Sequence, residues 1–267
     1  MSALARCAAQ DDILELFKEE VNMHSQQDNA VKEALDIREK GAPKNGVTQT
    51  LDRRLFIQLQ VFRGAKSTAS IIQALKGYAL PSVLYQDAVD PTGIGVLMMS
   101  ENPDTFVTTA RDLFLQPAFS SLVRDSEMTM FGRTYSLGRE ENLEEWLLYK
   151  PLKRALNPQW PWAIWYPLRR KSEFELLPAA DRGRVLMEHA RIGIEYGNHD
   201  LVHDIRLSCY GMDKRDNEFV LGLVSRDLHP LSRVIQDMRK TEQTAKYIES
   251  LGPFFVAKAI WQSPLQV

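Results

Sequence analysis

The sequence predicts an α+β fold: two tandem ferredoxin-like βαββαβ units whose antiparallel sheets join into one barrel of the dimeric-α+β type, with the helices outside. Three observations carry this expectation. Residues 53–135 give the order β-α-β-β-α followed by a further strand, residues 160–260 give it again, and the stretch between them is too apolar for a free linker, with Trp146, Leu147, Leu148 and Tyr149 inside it and Trp160 just beyond. The organisation read from this is an N-terminal helical arm over 1–50, a first half over 51–136, a connecting segment over 137–159 and a second half over 160–267.

In the arm, Ile13, Leu14, Leu16, Phe17 and Val21 make a short amphipathic helix and 30–40 a second one. Gly41-Ala-Pro-Lys-Asn-Gly46 then breaks any helix. Residues 54–62 alternate apolar and polar and are rich in β-branched and aromatic types, which reads as a strand. A helix starts at Ser67, places Ile71, Ile72 and Leu75 on one face and ends at Gly77. Strands at 82–87 and 94–99 flank the turn Asp90-Pro-Thr-Gly93, a helix runs from Ser100-Glu-Asn-Pro103 to about Leu115, and 127–135 supplies the sixth element. The second half repeats the plan with a strand at 161–166, a long helix over 178–197, strands at 201–210 and 218–224, a helix over 228–250 and a last strand over 253–260. Two stretches run in parallel: 83–99 leads through Ser100-Glu-Asn-Pro103 into a helix ending Arg111-Asp-Leu-Phe114, and 207–224 leads through Ser225-Arg-Asp-Leu-His-Pro230 into one ending Gln236-Asp-Met-Arg239. The repeat is one of pattern, not of identity.

The chain has 267 residues, 44% hydrophobic and 25% charged, with a net charge of −2, so it can build a core and offers no global field for nucleic acid or anionic lipid. No apolar run approaches the ~18 residues a membrane span needs. Asp11, Asp12 and Glu15 fall where a signal peptide would be apolar, and Cys7 and Cys209 alone build neither a disulfide framework nor a Cys₄ metal site. These features read as a cytoplasmic protein. Walker loops, Gly-rich dinucleotide fingerprints, Cys-x-x-Cys-His and His-Glu-x-x-His are absent from the sequence.

Of the five histidines, His24 lies in the polar arm and His229 before Pro230 at a helix start. His199 and His203 are four apart, yet Gly197-Asn198 precedes them and the segment reads as loop then strand, so they do not converge on a metal. His189 is mid-helix, with Val185, Leu186, Ile192 and Gly193 on its side. That pattern fits first a hydrogen-bonded core histidine, and after it one that ligates a flat apolar cofactor.

The series Trp165-Tyr-Pro-Leu-Arg-Arg170, Leu176-Leu-Pro178, Met187-Glu-His189 and Gly193 resembles the chlorite dismutase family, and within it the coproheme decarboxylases of haem biosynthesis. The actinobacterial branch of those enzymes has the same twenty-three-residue step from Tyr to His as Tyr166 and His189 here. Met238-Arg239, Glu242, Tyr247 and Gly252-Pro-Phe-Phe255 also match. The likeness covers 160–260; over 53–135 it is one of pattern, and it does not extend to 1–50.

The resemblance implies His189 as the iron ligand and Glu242 as a carboxylate hydrogen-bonded to its free nitrogen. It implies Tyr166 as the radical-forming tyrosine, Arg170 as the holder of a substrate propionate beside it, and Arg239 as a further contact. The family's distal residue falls thirteen positions after the histidine. That count lands on Val202 here, and allowing for two extra residues near Asn198-His-Asp200 moves it to Asp204. Strand alternation puts Asp204 and Arg206 on one face and His203 on the other. Whether the distal group is the carboxylate, the guanidinium or both stays open at this level.

The ligand so implied is non-covalent haem b or iron coproporphyrin (coproheme), with hydrogen peroxide as co-substrate. The reaction implied is oxidative decarboxylation of two propionates to vinyls, giving haem b, through a radical on Tyr166. The alternatives are another haem enzyme of the family, a chlorite dismutase or peroxidase-like member, and a haem-binding protein without turnover. A homo-oligomer, with a pentamer favoured, belongs to the same implication.

Overall fold

The computed structural model describes residues 34–265, and the chain divides into two units, Met1–Ile37 and Arg38–Val267. The fold is that of the second unit. The helix expected over 13–21 lies outside the described residues, as do His24 and Cys7.

The helix expected over 30–40 is not there in its described part. Residues 34–38 have no regular structure, and β1 (Glu39–Lys44) pairs antiparallel with β2 (Val47–Leu51). Asn45 and Gly46 both take positive φ, 53° and 79°, as a two-residue type I′ hairpin turn demands. The hairpin is tied to the body. Glu39 pairs with Arg133 at 2.7 Å, and the Ala42 N–H donates to Glu140 O at 3.0 Å. Gly41 passes so close that a Cβ would lie 2.8 Å from Glu140 O.

The first half follows as β3 (Phe56–Arg63), α1 (Ala69–Lys76), β4 (Ser82–Asp87), β5 (Ile94–Ser100), α2 (Thr109–Phe114) and β6 (Val123–Arg133). The helix expected over 100–115 is divided. Asn102 caps a 3₁₀ turn at Pro103–Phe106, and Thr108 leaves helical geometry before α2 begins. The connecting segment folds as α3 (Lys150–Ala155), preceded by a π-wound turn at Glu145–Tyr149. The second half is β7 (Trp162–Arg170), α4 (Ala179–Asn198), β8 (His203–Ser208), β9 (Phe219–Ser225), α5 (Leu228–Met238), β10 (Ile248–Leu251) and β11 (Phe255–Gln262). The helix expected over 228–250 stops at Met238, because the Lys171 N–H donates to Tyr247 O at 2.7 Å and β10 pairs along the end of β7.

The strands run in the order β7-β11-β4-β5-β3-β6-β8-β9, and β9 pairs back onto β7, so the sheet closes into an eight-stranded barrel with β10 as an addition to β7. This is the tandem ferredoxin-like barrel that the sequence predicts. Its narrowest seam is β6–β8, where the register pairs only Arg133 with Ser208.

Alternate residues point inward and form one core: Ile57, Leu59 and Val61 of β3, Val83 and Tyr85 of β4, Trp165 of β7, Ile205 and Leu207 of β8. Leu147, Leu148 and Ala155 from the connecting segment join this core, which explains why that segment is apolar. Trp165 is fully buried and rests on Gly222, where a Cβ would meet its ring at 2.4 Å. Outward-facing residues form two more cores. Leu84, Val96 and Met98 lie under α1 and α2, and Ile164, Tyr166 and Leu223 lie under α4 and α5. No helix among the described residues is long and apolar enough to cross a membrane.

Candidate functional site

The outer layer of the second half brings most of the predicted site residues together. Strand register sets two rows across its sheet: Tyr166, Leu221 and Arg206 in one, Ile164, Leu223 and Asp204 in the next. All six side chains therefore share the outer face. Asp204 and Arg206 both lie there, the carboxylate and the guanidinium on one face as strand alternation predicts.

α4 forms after the extended Pro178, with Val185, His189, Ile192 and Tyr196 at spacings of four, three and four, a single stripe along its length. The stripe faces α5, the start of β8 and the 243–247 turn. Of the twenty residues only Val185 is fully buried, so the helix rests lightly on its sheet.

His189 is half-buried on this stripe, and burial lowers its pKa, favouring the neutral imidazole. Its Nδ1 lies 3.3 Å from Thr241 Oγ1, and that hydroxyl in turn donates to Met238 O at 2.7 Å. Nε2 takes no protein hydrogen bond among the described residues. A histidine tied at Nδ1 and bare at Nε2, in a layer that also holds Ile192 and Met238, could hold the iron of a flat apolar ligand.

Glu242 is not the partner of His189. Its carboxylate is held by Arg184 at 2.7 Å and Lys246 at 2.9 Å, and these hydrogen bonds bring its pKa down to about 2. Its backbone N–H donates to Glu188 Oε2 at 2.9 Å. The chain turns after α5 in such a way that Thr241, one residue earlier, faces the imidazole instead.

Tyr166 is 6% exposed, with its ring 4.7 Å from that of Phe254. Burial raises its pKa well above the ordinary phenol value, with the charge of Asp204 acting in the same direction and that of Arg239 opposing it. The phenol therefore keeps its proton. Arg239, just past the end of α5, lines an open groove with Thr244, Ile248, Glu249 and Leu251.

Arg170 departs from its expected role. Its Nε lies 2.9 Å from Glu218, its Nη2 3.0 Å from Glu175, and its guanidinium is stacked between Phe174 and Phe219 at 4.6 and 4.9 Å. It is a mostly buried, doubly paired cation whose donors are engaged by Glu218 and Glu175, not free for a substrate carboxylate. Along β7 it also stands four residues, roughly 13 Å, from Tyr166.

A further group of cations lies in a small concavity lined by Tyr135, Trp146, Lys150, Arg154, Asp204 and Arg206. Asp204 bridges Arg154 at 2.8 Å and Arg206 at 2.9 Å, and Arg154 also donates to the Asp204 backbone oxygen. Lys150 sits with Nζ 3.5 Å from the centre of the Trp146 ring, and Arg206 approaches the same ring at 5.5 Å. Burial, reinforced by Arg154 and Arg206, lowers Lys150 to about 8. Two guanidiniums share the one carboxylate and Lys150 lines the same concavity, which therefore carries an excess of positive charge. Sequence reasoning takes Trp146 only as part of an apolar segment and passes over Lys150 and Arg154, although four-residue steps place the three on one helical face.

The remaining histidines stay apart. His199 Nδ1 lies 2.9 Å from Glu195 O, while His203 stacks on Trp160 at 3.6 Å and meets Asp200 at 2.8 Å. Among the described residues no three His, Cys, Asp or Glu side chains are grouped to hold a metal ion. Cys209 is buried and inert, its Sγ–H donating to Phe131 O and its pKa pushed up to about 12.

Comparison with known proteins agrees with this architecture. A family model described as chlorite dismutase matches residues 100–260. A haem-binding protein from Thermus thermophilus is similar in structure, with a TM-score of 0.60 at 21% identity, covering 78% of this chain and 91% of that one. The chlorite dismutase of Candidatus Nitrospira defluvii, in complex with imidazole, gives a TM-score of 0.61 at 12% identity, covering 80% of this chain and 93% of that one.

Proposed function

The chain belongs to the chlorite dismutase family, and from that premise we propose that it binds an iron porphyrin through His189 and uses hydrogen peroxide to decarboxylate the propionates of coproheme, giving haem b. The observation that carries this reading is the pairing of two side chains in one outer layer. His189 offers a bare Nε2 on α4, and a protonated, buried Tyr166 lies on the sheet beneath.

Each propionate that becomes a vinyl loses CO₂, one proton and two electrons, and one peroxide takes up two electrons and two protons to leave two waters. The bound iron porphyrin supplies the redox chemistry and, as coproheme, the propionates themselves. The protein does the rest. His189 binds and orients the ligand. Tyr166 holds a proton at Oη and gives up that proton with one electron, then takes a hydrogen atom from the propionate β-carbon; the bond to the carboxylate carbon breaks to release CO₂, and the second electron also goes to the peroxide. Ile192, Leu221, Met238 and Phe254 keep water from the radical. Lys150 and Arg206 offer the positive charge for carboxylates that Arg170 does not. A ring of identical chains, with five favoured, belongs to the same reading and is checked by the mass in solution.

A second reading has its own support. Arg206, at the end of the row from Tyr166 and beside Lys150, suits a small oxyanion such as chlorite. One experiment separates the two. The protein is titrated with iron coproporphyrin and with haem b, and the loaded forms are treated with peroxide or with chlorite. Loss of two CO₂ from coproheme by mass analysis supports the decarboxylase. Oxygen release from chlorite without loss of mass supports the second reading, and binding with neither outcome leaves a haem-binding protein.

A further inference from the structure

We infer that Thr241, and not the adjacent carboxylate Glu242, sets the tautomer and the basicity of His189. It is thereby a positioning residue for the iron ligand, an inference that rests on the reading of His189 as that ligand. Thr241 is 2% exposed, so its hydrogen bonds are made within the protein. Its hydroxyl has a single proton to give. Four polar atoms surround Oγ1: Met238 O at 2.7 Å, His189 Nδ1 and Thr244 Oγ1, each at 3.3 Å, and the Thr244 N–H, which donates to it at 3.5 Å. The Met238 carbonyl can only accept, and it is the nearest of the four, so it takes the proton. Toward the imidazole Oγ1 is left as an acceptor. Nδ1 must then carry hydrogen, and Nε2 presents its lone pair.

The hydroxyl is fixed in place by the exit from α5. The Thr241 N–H also donates to Met238 O at 3.1 Å, and the Ala245 N–H donates to Thr241 O at 2.9 Å. Glu242 cannot substitute without releasing both Arg184 and Lys246. The difference between the two acceptors is one of charge. A carboxylate draws the Nδ1 proton strongly and makes the imidazole a stronger donor to iron, whereas a neutral hydroxyl draws it weakly. His189 therefore acts as a neutral imidazole, which stabilises ferric iron less than a carboxylate-backed ligand does.

The test uses the full chain loaded with haem b. The iron–histidine stretching band of the ferrous form and the ferric/ferrous potential are measured for the wild type and for Thr241→Val, Thr241→Ser and Thr241→Asp. Thr241→Val keeps the shape and removes the acceptor. It should shift the band to lower frequency, raise the potential and weaken haem binding by roughly tenfold, the scale of a lost supporting contact. Thr241→Ser should restore all three, and Thr241→Asp should move band and potential the opposite way. A band and potential in Thr241→Val equal to those of the wild type would overturn the inference, since a purely packing role moves neither. Should Thr241→Val fail to fold, the Asp–Ser pair carries the test, and equal bands in those two overturn the inference as well. Absence of an iron–histidine band in the wild type, or its persistence in His189→Ala, overturns instead the assignment of His189 on which the inference rests.

Discussion

The two halves share one plan and finish it differently. In the first half the outer layer is closed. Ile71, Leu75, Ala110 and Leu113 from α1 and α2 are fully buried on Leu84, Val96 and Met98, and Phe62, Phe114 and Phe119 lock the layer with ring separations of 5.2 to 5.4 Å. In the second half α4 is more than twice as long as either helix of the first, yet buries one residue completely, and its sheet presents Tyr166, Asp204 and Arg206 among the aliphatic side chains. The same βαββαβ frame therefore serves as a packed wall on one side and as a loosely covered face with polar groups on the other. What separates the two halves is the packing of the outer layer, not the topology.

The comparison can be broken most directly at His189. His189→Ala should weaken haem b and coproheme binding by more than about 100-fold, beyond the cost of losing a supporting contact, with the melting temperature unchanged. Leu75→Ala in the first half should do the reverse, costing about 2–5 kcal/mol of stability and leaving affinity alone. Paired Soret titrations and thermal melts check both, and a large loss of affinity in Leu75→Ala would show that the halves are not so divided.

Tyr166→Phe should abolish loss of CO₂ from coproheme with peroxide while binding stays within about twofold, because the ring keeps its contact with Phe254. Near-normal conversion would remove Tyr166 from the proposed chemistry and leave the ligand site standing.

Arg170→Ala tests whether a charged residue in the second half is structural. It would leave Glu218 buried beside a vacated cation site, so a loss of about 3 kcal/mol of stability is expected. Coproheme and haem b binding should then fall together or not at all; a selective loss of coproheme binding would return Arg170 to the substrate.

The smallest effect concerns the basic concavity. Lys150→Gln should weaken coproheme binding by about tenfold, the scale of one charge-assisted hydrogen bond, and haem b binding less, since haem b has two fewer carboxylates. The same residue gives the sign of a pH dependence. Lys150 is half-buried on Trp146, near Arg154, Arg206, Asp204 and Glu145. Its folded pKa of about 8 lies below the ordinary lysine value, so its charge is lost as pH rises through 8. Coproheme affinity should fall a few-fold between pH 7 and 9 in the wild type and stay level in Lys150→Gln.

Much of this is legible in the residues, and the gaps have physical reasons. The strand 82–87 coincides with β4 because its residues are nearly all buried, and α4 matches to within a residue because Pro178 and the end of the apolar stripe bound it. The expected overrun of α5 past Met238 rests on residues polar enough for a helix surface. What ends the helix is a pairing between β10 and the end of β7, about eighty residues away in the chain. Asn45-Gly46 reads as a helix breaker, yet two adjacent residues that tolerate positive φ are also a hairpin signal. Arg170 shows the limit of alternation, which gives its face but not the carboxylates of Glu175 and Glu218 that converge on it. For Glu242 and Thr241 the motif points to the right turn, and the geometry of the turn selects the neighbour.

The single-pair seam between β6 and β8 has a dynamic meaning. A closed barrel ordinarily resists breathing because every strand is laced on both sides, and here one lace is nearly missing. Backbone amides of 203–207 should exchange with deuterium sooner than those of β5, which is laced along its whole length by β3 and β4. The seam runs beside Asp204 and Arg206, with the Arg154 guanidinium as its clasp. The cylinder can therefore flex where the charged end of the site is built, while the Trp165 side stays rigid.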